Sequence, residues 1–290
     1  ATPTNTAFVV SSNTATTITI VGTWSAPTGA TTYSIQDPSV IITGNVSLPA
    51  TPTVAAVANR AAIEISGNLL NYREDVLALQ NIRVANATAI IGIEVQDSSS
   101  ITFTQMQIRP TDATAQALLV NSLSNSLTPR VQVRKCDVSL TSTASGAVVQ
   151  SATFRSVNTL WRNATAASGA AVVFGNVTPS AGGAFARVFG VSSSESAGFL
   201  NGWSFPAAFA SGVMNNRITC SGGTGIGIIV GSTTTNAAGI PSTVTVTANN
   251  IATCGTGLQV VGPASADVVS LTGAAATTGF SVFGGGLITF

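Results

Sequence analysis

The chain has no histidine, and only 7% of its 290 residues are charged, where about a quarter is usual. Without histidine, Ser/His and Cys/His nucleophilic catalysis is excluded, and a zinc site would have too few plausible ligands. Acidic residues number only 10, few for chemistry that needs paired carboxylates. Lys and Arg number 11, the net charge is +1, and there is no basic run, so the electrostatic footprint of nucleic-acid binding is missing. Although 45% of residues are hydrophobic, no run approaches the roughly 18 apolar residues of a membrane-crossing helix, and no membrane span is expected. Asn-Gly and Asp-Gly turns, the commonest hairpin signals, are almost absent, which argues against a sandwich or propeller. The regular Leu and Asn spacing of leucine-rich repeats is missing as well. The chain begins at Ala1 with no charged-then-apolar leader, and the expectation is a processed mature chain or a segment of a longer one.

Ser and Thr fill the space that charge leaves, at about a quarter of all residues, which suits β structure better than helix. One stretch occurs twice. Asn249-Asn250-Ile251-Ala252-Thr253-Cys254-Gly255-Thr256-Gly257 repeats the order of features in Asn215-Asn216-Arg217-Ile218-Thr219-Cys220, followed by Thr224-Gly225, and Asn216 and Asn250 lie 34 residues apart. Self-similarity at a period of roughly 20 to 50 residues marks a solenoid, in which each repeat covers the open face of its neighbour. From Ile63 onward a small residue followed by an apolar triplet recurs every 22 to 32 residues or so, at Gly92, Ala117, Gly146, Ala170, Gly198, Gly225, Gly257 and Gly279. A second column precedes it, at Ile82, Ile101, Val131, Thr153, Ala186, Gly212, Val244 and Val268. Two strands per repeat, with apolar residues turned inward, predict an all-β solenoid of about eight coils over 59–290. Residues 1–58 are expected to form an N-terminal β extension or cap. Glu74–Gln80 is the only passable helix, and a strand or a single capping turn suits it equally.

The Asn-Asn-x-x-x-Cys-Gly-x-Gly-x-x-Val pattern at 249–260 resembles the coils of right-handed parallel β-helix proteins, the pectate-lyase-like superfamily. The resemblance covers about 63–290 and implies the fold and its hand, not an activity. In composition the chain also looks similar to Ala/Ser/Thr/Val-rich β-helix surface glycoproteins of flagellated protists. Lyases and glycoside hydrolases share this fold, so carboxylate placement matters. No two acids are expected in one column on adjacent coils. The best enzymatic constellation is Arg109, Asp112, Arg134 and Asp137, for which a surface salt bridge is the simpler reading. No catalytic residue, cofactor or metal site is assigned, and the chain is read as no enzyme.

Other residues have structural or contact roles to play. Asn216 and Asn250 are expected to stack at a coil corner and hydrogen-bond along the axis, since Asn tolerates the left-handed backbone of a sharp turn. Cys220 and Cys254 share a repeat position, and neighbouring coils would bring them within about 5 Å, as a disulfide or a buried thiol ladder. Cys136 reads as a small core residue. Sequons at Asn45, Asn86, Asn163 and Asn176 are glycosylation candidates by their place near corners, with Asn86 and Asn163 the best; their number is what chance supplies at this Ser/Thr content. Phe199, Trp203, Phe205 and Phe209 lie close together as an apparent insertion, open to three readings: a sugar-stacking platform, a subunit contact, or a loop over the coil's own core.

The final segment carries Phe283 and Phe290 with no helix, charge or breaker, and reads as an uncapped coil. A head-to-tail contact at such an end generates an open filament. The expected function is an extracellular or cell-surface structural protein whose partner is itself and whose surface carries glycans. Carbohydrate binding or cleavage is the second reading. An adhesin or ice-binding face is the third, suggested by Thr243-Val244-Thr245-Val246-Thr247 and interrupted at Val131-Gln132-Val133-Arg134.

Overall fold

Strict alternation of apolar and polar residues decides the local structure. In Arg130–Arg134 the two valines are buried while Arg130 and Arg134 are exposed, and Thr153–Val157 buries Phe154 and Ser156 around an exposed Arg155. Period-two burial of this kind belongs to a strand with one face on a core. The computed structural model describes residues 91–96, 100–110, 112–121, 129–150, 152–165, 169–175, 188–208, 211–232, 242–273 and 277–290. N-terminal to these it describes the backbone of strands at 9–13, 18–21, 41–43, 53–54, 61–66, 77–80 and 83–86.

The strands form three parallel sheets, two of nine strands and one of ten, and successive strands pass from sheet to sheet in turn. The architecture is a right-handed parallel β-helix with three strands per coil. The first sheet begins at Ile41–Thr43 and ends at Leu287–Thr289, the second runs from Thr53–Val54 to Leu271–Thr272, and the third from Ala61–Ser66 to Thr278–Phe283. Coils are numbered here by their first-sheet strand: coil one at Ile41–Thr43, four at Arg130–Arg134, five at Thr153–Val157, six at Val188–Ser192, seven at Ser211–Met214, eight at Thr243–Thr247 and nine at Ser265–Val268. The sheets therefore reach back across residue 58. Val9–Asn13 and Ile18–Val21 pair antiparallel in a separate two-stranded sheet.

Two features depart from the sequence reading. The second sheet is a third strand per coil that the columns overlooked, because its strands are short and polar, as in Gln107–Pro110, Asp137–Leu140 and Arg217–Cys220. Each offers only two inward residues. At coil six this misassigned Gly198-Phe199, which belongs to the second sheet in Glu195–Phe199, while Asn201–Phe205 is the third-sheet strand. Leu200 alone joins them, so two strands read as one aromatic insertion. Leu77–Gln80 is a strand in the first sheet, and residues 74–76 lie outside the described residues.

The core is a stack of inward columns. One third-sheet column runs through Leu118, Ala147, Val172, Trp203, Ile228 and Leu258, all fully buried, and ends at Phe280. Between coils five and six, Phe174 packs against Phe154, Phe189 and Phe205 at centroid distances of 5.7, 5.1 and 4.7 Å.

Candidate functional site

The corner between the first and second sheets is built the same way in six coils. Gln105, Lys135, Asn158, Ser193, Asn215 and Ala248 each take a left-handed φ between 48 and 56°. The next residue turns inward, giving the buried column Met106, Cys136, Thr159, Ser194, Asn216 and Asn249. From Thr159 on, this column is a hydrogen-bond ladder along the axis. Ser194 Oγ accepts from Thr159 N–H at 3.2 Å, Asn216 Oδ1 accepts from Ser194 N–H at 2.9 Å, and Asn249 Oδ1 accepts from Asn216 N–H at 3.1 Å. Asn216 Nδ2 also donates to Asn249 Oδ1 at 2.9 Å, and Asn249 Nδ2 donates to the Val213 carbonyl at 2.8 Å.

Asn250 is therefore not the partner of Asn216. It is exposed and in register with Arg217, while Asn249 fills the corner. The cause is one extra residue. Between the two coils the offset is 33 along the strand, but Thr253, at φ 56°, is inserted before Cys254 and makes the cysteine separation 34. An alignment anchored on the cysteines puts the asparagines one position out. Cys220 and Cys254 are joined in a disulfide with Cα atoms 5.0 Å apart. Cys136 is a buried free thiol, and burial pushes its pKa up to about 12.

The charged constellation is only partly assembled. Asp137 accepts from Arg109 at 2.6 Å and lies 3.4 Å from Arg162, all three on the second sheet, with side chains still partly in solvent. Arg134 is on the first sheet and Asp112 is engaged with Thr114, whose hydroxyl and backbone N–H hold its carboxyl below the ordinary aspartate value. One expectation about acids is corrected. Glu64 and Glu94 are register partners on adjacent coils of the third sheet. Ile63-Glu64-Ile65 lies one coil before Gly92, where the small-plus-apolar column begins, so that column alone does not show the pair. Among the described residues no group of three potential metal ligands forms.

The aromatic candidates resolve differently. Phe199, Trp203 and Phe205 are fully buried core residues, so they offer neither a sugar platform nor a subunit contact. Their alternation in two strands turns the rings into the coil. Phe209 lies outside the described residues. Asn163, a favoured sequon, is buried, and its Nδ2, the atom a glycan would need, donates to the Ser142 carbonyl at 2.7 Å. Asn86 ends a second-sheet strand opposite Pro110, its side chain outside the described residues, as are Asn45 and Asn176 altogether. The threonine face does not recur: the column of Thr245 passes through Gly212, Gly190, Arg155 and Gln132 before it meets Thr102.

The terminal coil differs from the other coils whose side chains are among the described residues. Phe280 and Val282 continue the core columns of Leu258 and Val260, yet they are 41% and 48% exposed. Phe283, Leu287 and Phe290 are exposed beside them, and Phe290 meets Phe280 edge-on at 5.3 Å. The last strands of all three sheets, Leu271–Thr272, Thr278–Phe283 and Leu287–Thr289, each have one edge without a strand partner among the described residues. Side chains that are core elsewhere and three open ladders thus share one surface. Phe283 and Phe290 were legible in the sequence; Phe280 was not, because only the register shows it continuing the core. Comparison with family models, with curated proteins and with solved structures gives no match.

Proposed function

We propose that this chain is an extracellular structural subunit, a non-catalytic surface or filament protein of the pectate-lyase-like β-helix type that stacks end to end into a fibre, appendage or coat. The carrying observation is the terminal coil, where core residues Phe280 and Val282 and three unpaired strand edges face solvent together. Covering three half-exposed or fully exposed phenylalanines and their neighbours removes on the order of 500 Å² of apolar surface from water. A second copy suits this surface because the first strands of the same three sheets at the opposite end, Ile41–Thr43, Thr53–Val54 and Ala61–Ser66, run in the same direction and each have one edge without a strand partner among the described residues. Stacking continues every parallel ladder and needs no new pairing pattern. The contact is head-to-tail, so it does not close and gives a filament.

The Cys220–Cys254 disulfide supports an oxidising location outside the cell. Asn45, Asn86 and Asn176 are the sequons through which such a surface would be glycosylated. The test is negative-stain microscopy and sedimentation of purified protein across concentrations. Filaments are expected for the natural chain and their loss for Phe283→Lys with Phe290→Lys. A natural chain that stays featureless and monomeric at every concentration refutes the reading.

A further inference from the structure

Charge is scarce in this chain and unevenly paired. On the second sheet every cation with a described side chain stands beside an acid: Arg109 and Arg162 on Asp137, and Arg217 in register with Glu195. The first sheet is the opposite. Arg130 and Arg134 on coil four, Arg155 on coil five and Lys135 at the corner after Arg134 are all exposed, and none has an ion pair among the described residues. Asp137, the acid nearest to them in sequence, is held by Arg109 and Arg162. Among the described residues the one acid on this face is Asp267, four coils from Arg155 along the same column, or about 19 Å.

Register sets the spacing of the four cations. Arg130 and Arg134 flank Gln132 on one strand, and Arg155 is in register with Gln132 on the next coil. At about 3.3 Å per residue and about 4.8 Å between strands, Arg155 lies roughly 8 Å from each, and they lie roughly 13 Å from one another, Cα to Cα. Arg134 and Lys135 are closer still. Strand alternation would turn one of two consecutive residues inward, but the left-handed φ of Lys135, 52°, leaves both exposed, with Cα atoms about 3.8 Å apart. Like charges side by side on a sheet destabilise it, and an anion laid over them removes that repulsion. Cations spread over two strands fit several anions on one polymer better than one small ion.

The rest of the surface says what kind of polymer. Thr102, Thr104, Gln105, Gln132, Thr153 and Asn158 stand exposed or half-exposed around the cations, and they hydrogen-bond as sugar hydroxyls do. No exposed aromatic lies among them for a nucleic-acid base to stack on. On coils four to six Val157 and Val188 are the only apolar side chains reaching solvent on this face, too few to enter a lipid surface. The Arg134–Lys135 pair sets the anion. A sulfate ester has three terminal oxygens, enough for a guanidinium fork and an ammonium together, while the two oxygens of a carboxylate are engaged by the fork alone.

We propose that the first-sheet face at coils four and five binds a sulfated polysaccharide, Arg134 and Lys135 holding one sulfate together and Arg130 and Arg155 taking others along the chain. The site is on the flank of the solenoid and stands independently of the end-to-end contact.

Fluorescence anisotropy of labelled dextran sulfate with the full chain tests this, in a Phe283→Ser, Phe290→Ser background so that stacked copies do not multiply the sites. Binding is expected, weakening at least tenfold between 50 and 200 mM NaCl. Carboxymethyl dextran of equal charge density, duplex DNA and phosphatidylglycerol vesicles are each expected to bind at least tenfold more weakly than dextran sulfate. Arg134→Gln with Lys135→Gln, and Arg130→Gln with Arg155→Gln, are each expected to weaken dextran sulfate binding at least tenfold at an unchanged melting temperature. Arg162→Gln with Arg217→Gln removes the same charge from the second sheet and is expected to stay within threefold. Lys135 is the only lysine in the chain, so its acetylation, followed by mass spectrometry, locates the site directly, and dextran sulfate is expected to slow it at least fivefold. No binding of dextran sulfate in 50 mM NaCl, equal or tighter binding of carboxymethyl dextran, DNA or vesicles, an equal loss in the second-sheet pair, or an unprotected Lys135 each overturns the proposal.

Discussion

Replacing Asn249 by Ala strikes the corner ladder at the residue with the most partners. Asn249 is fully buried; its Oδ1 accepts from Asn216 N–H and Nδ2–H, and its Nδ2 donates to the Val213 and Thr247 carbonyls at 2.8 and 3.1 Å. Truncation spares two of these groups a complete loss, because the Thr247 carbonyl still accepts from Asn215 N–H and Asn216 Nδ2 still donates to the Val191 carbonyl. Asn216 N–H loses its acceptor outright. One stranded buried donor at about 1–3 kcal/mol, with three further bonds at about 0.5–1.5 kcal/mol each, gives an expected loss of about 2.5–7.5 kcal/mol. Asn250→Ala, on an exposed side chain one residue away, is expected to stay within about 0.5 kcal/mol. Equilibrium urea denaturation of both variants measures the difference, and amide hydrogen exchange shows where it lies. Because each coil rests only on its neighbours, lost protection should concentrate in coils seven to nine. Equal destabilisation by the two substitutions, or a larger effect at Asn250, refutes the assigned register and the ladder with it.

Three further outcomes follow from the same geometry. Breaking the Cys220–Cys254 bond, which spans a separation of 34 residues, should cost about 4 kcal/mol by loop entropy, read as the shift in denaturation midpoint between oxidised and reduced protein; no shift would contradict it. Cys136, its pKa pushed up to about 12 by burial, should resist iodoacetamide at pH 8 in the folded chain and react once denaturant is added, whereas native labelling at the rate of a free thiol contradicts its placement. The Asp112 carboxyl is depressed by its bonds to Thr114, so its contribution is present above the unfolded aspartate value and is lost as pH falls through the lower folded one. An NMR titration should show it ionising below ordinary aspartates and moving back toward them in Thr114→Val; an unchanged midpoint in the variant rules out that cause.

The third sheet could be read from sequence because its strands are long and apolar, and a small residue before each triplet lets neighbouring coils approach. The second sheet could not. Strands such as Asn249–Ala252 and Leu160–Asn163 expose half their residues, and their inward positions hold Asn, Ser or Trp as readily as Val. The buried corner column escaped for a related reason. Met106, Cys136, Thr159, Ser194, Asn216 and Asn249 share no side-chain chemistry, only a position after a left-handed residue, and a corner can be filled by an apolar, thiol, hydroxyl or amide group.

The amino-acid sequence by itself determined that this chain is a β-solenoid with an apolar, uncharged last segment, because period-two burial and a repeated small-plus-apolar unit are properties of neighbouring residues. Tertiary structure alone decided the register between coils. One inserted residue at Thr253 moves the asparagine ladder from Asn250 to Asn249, stacking sends Phe199, Trp203 and Phe205 into the core, and the lack of a coil over Phe280 in this structure leaves a core residue in solvent. Side-chain direction in a strand reverses with each residue, so which groups meet depends on how coils are superposed, and that is settled only when the whole stack closes over its core.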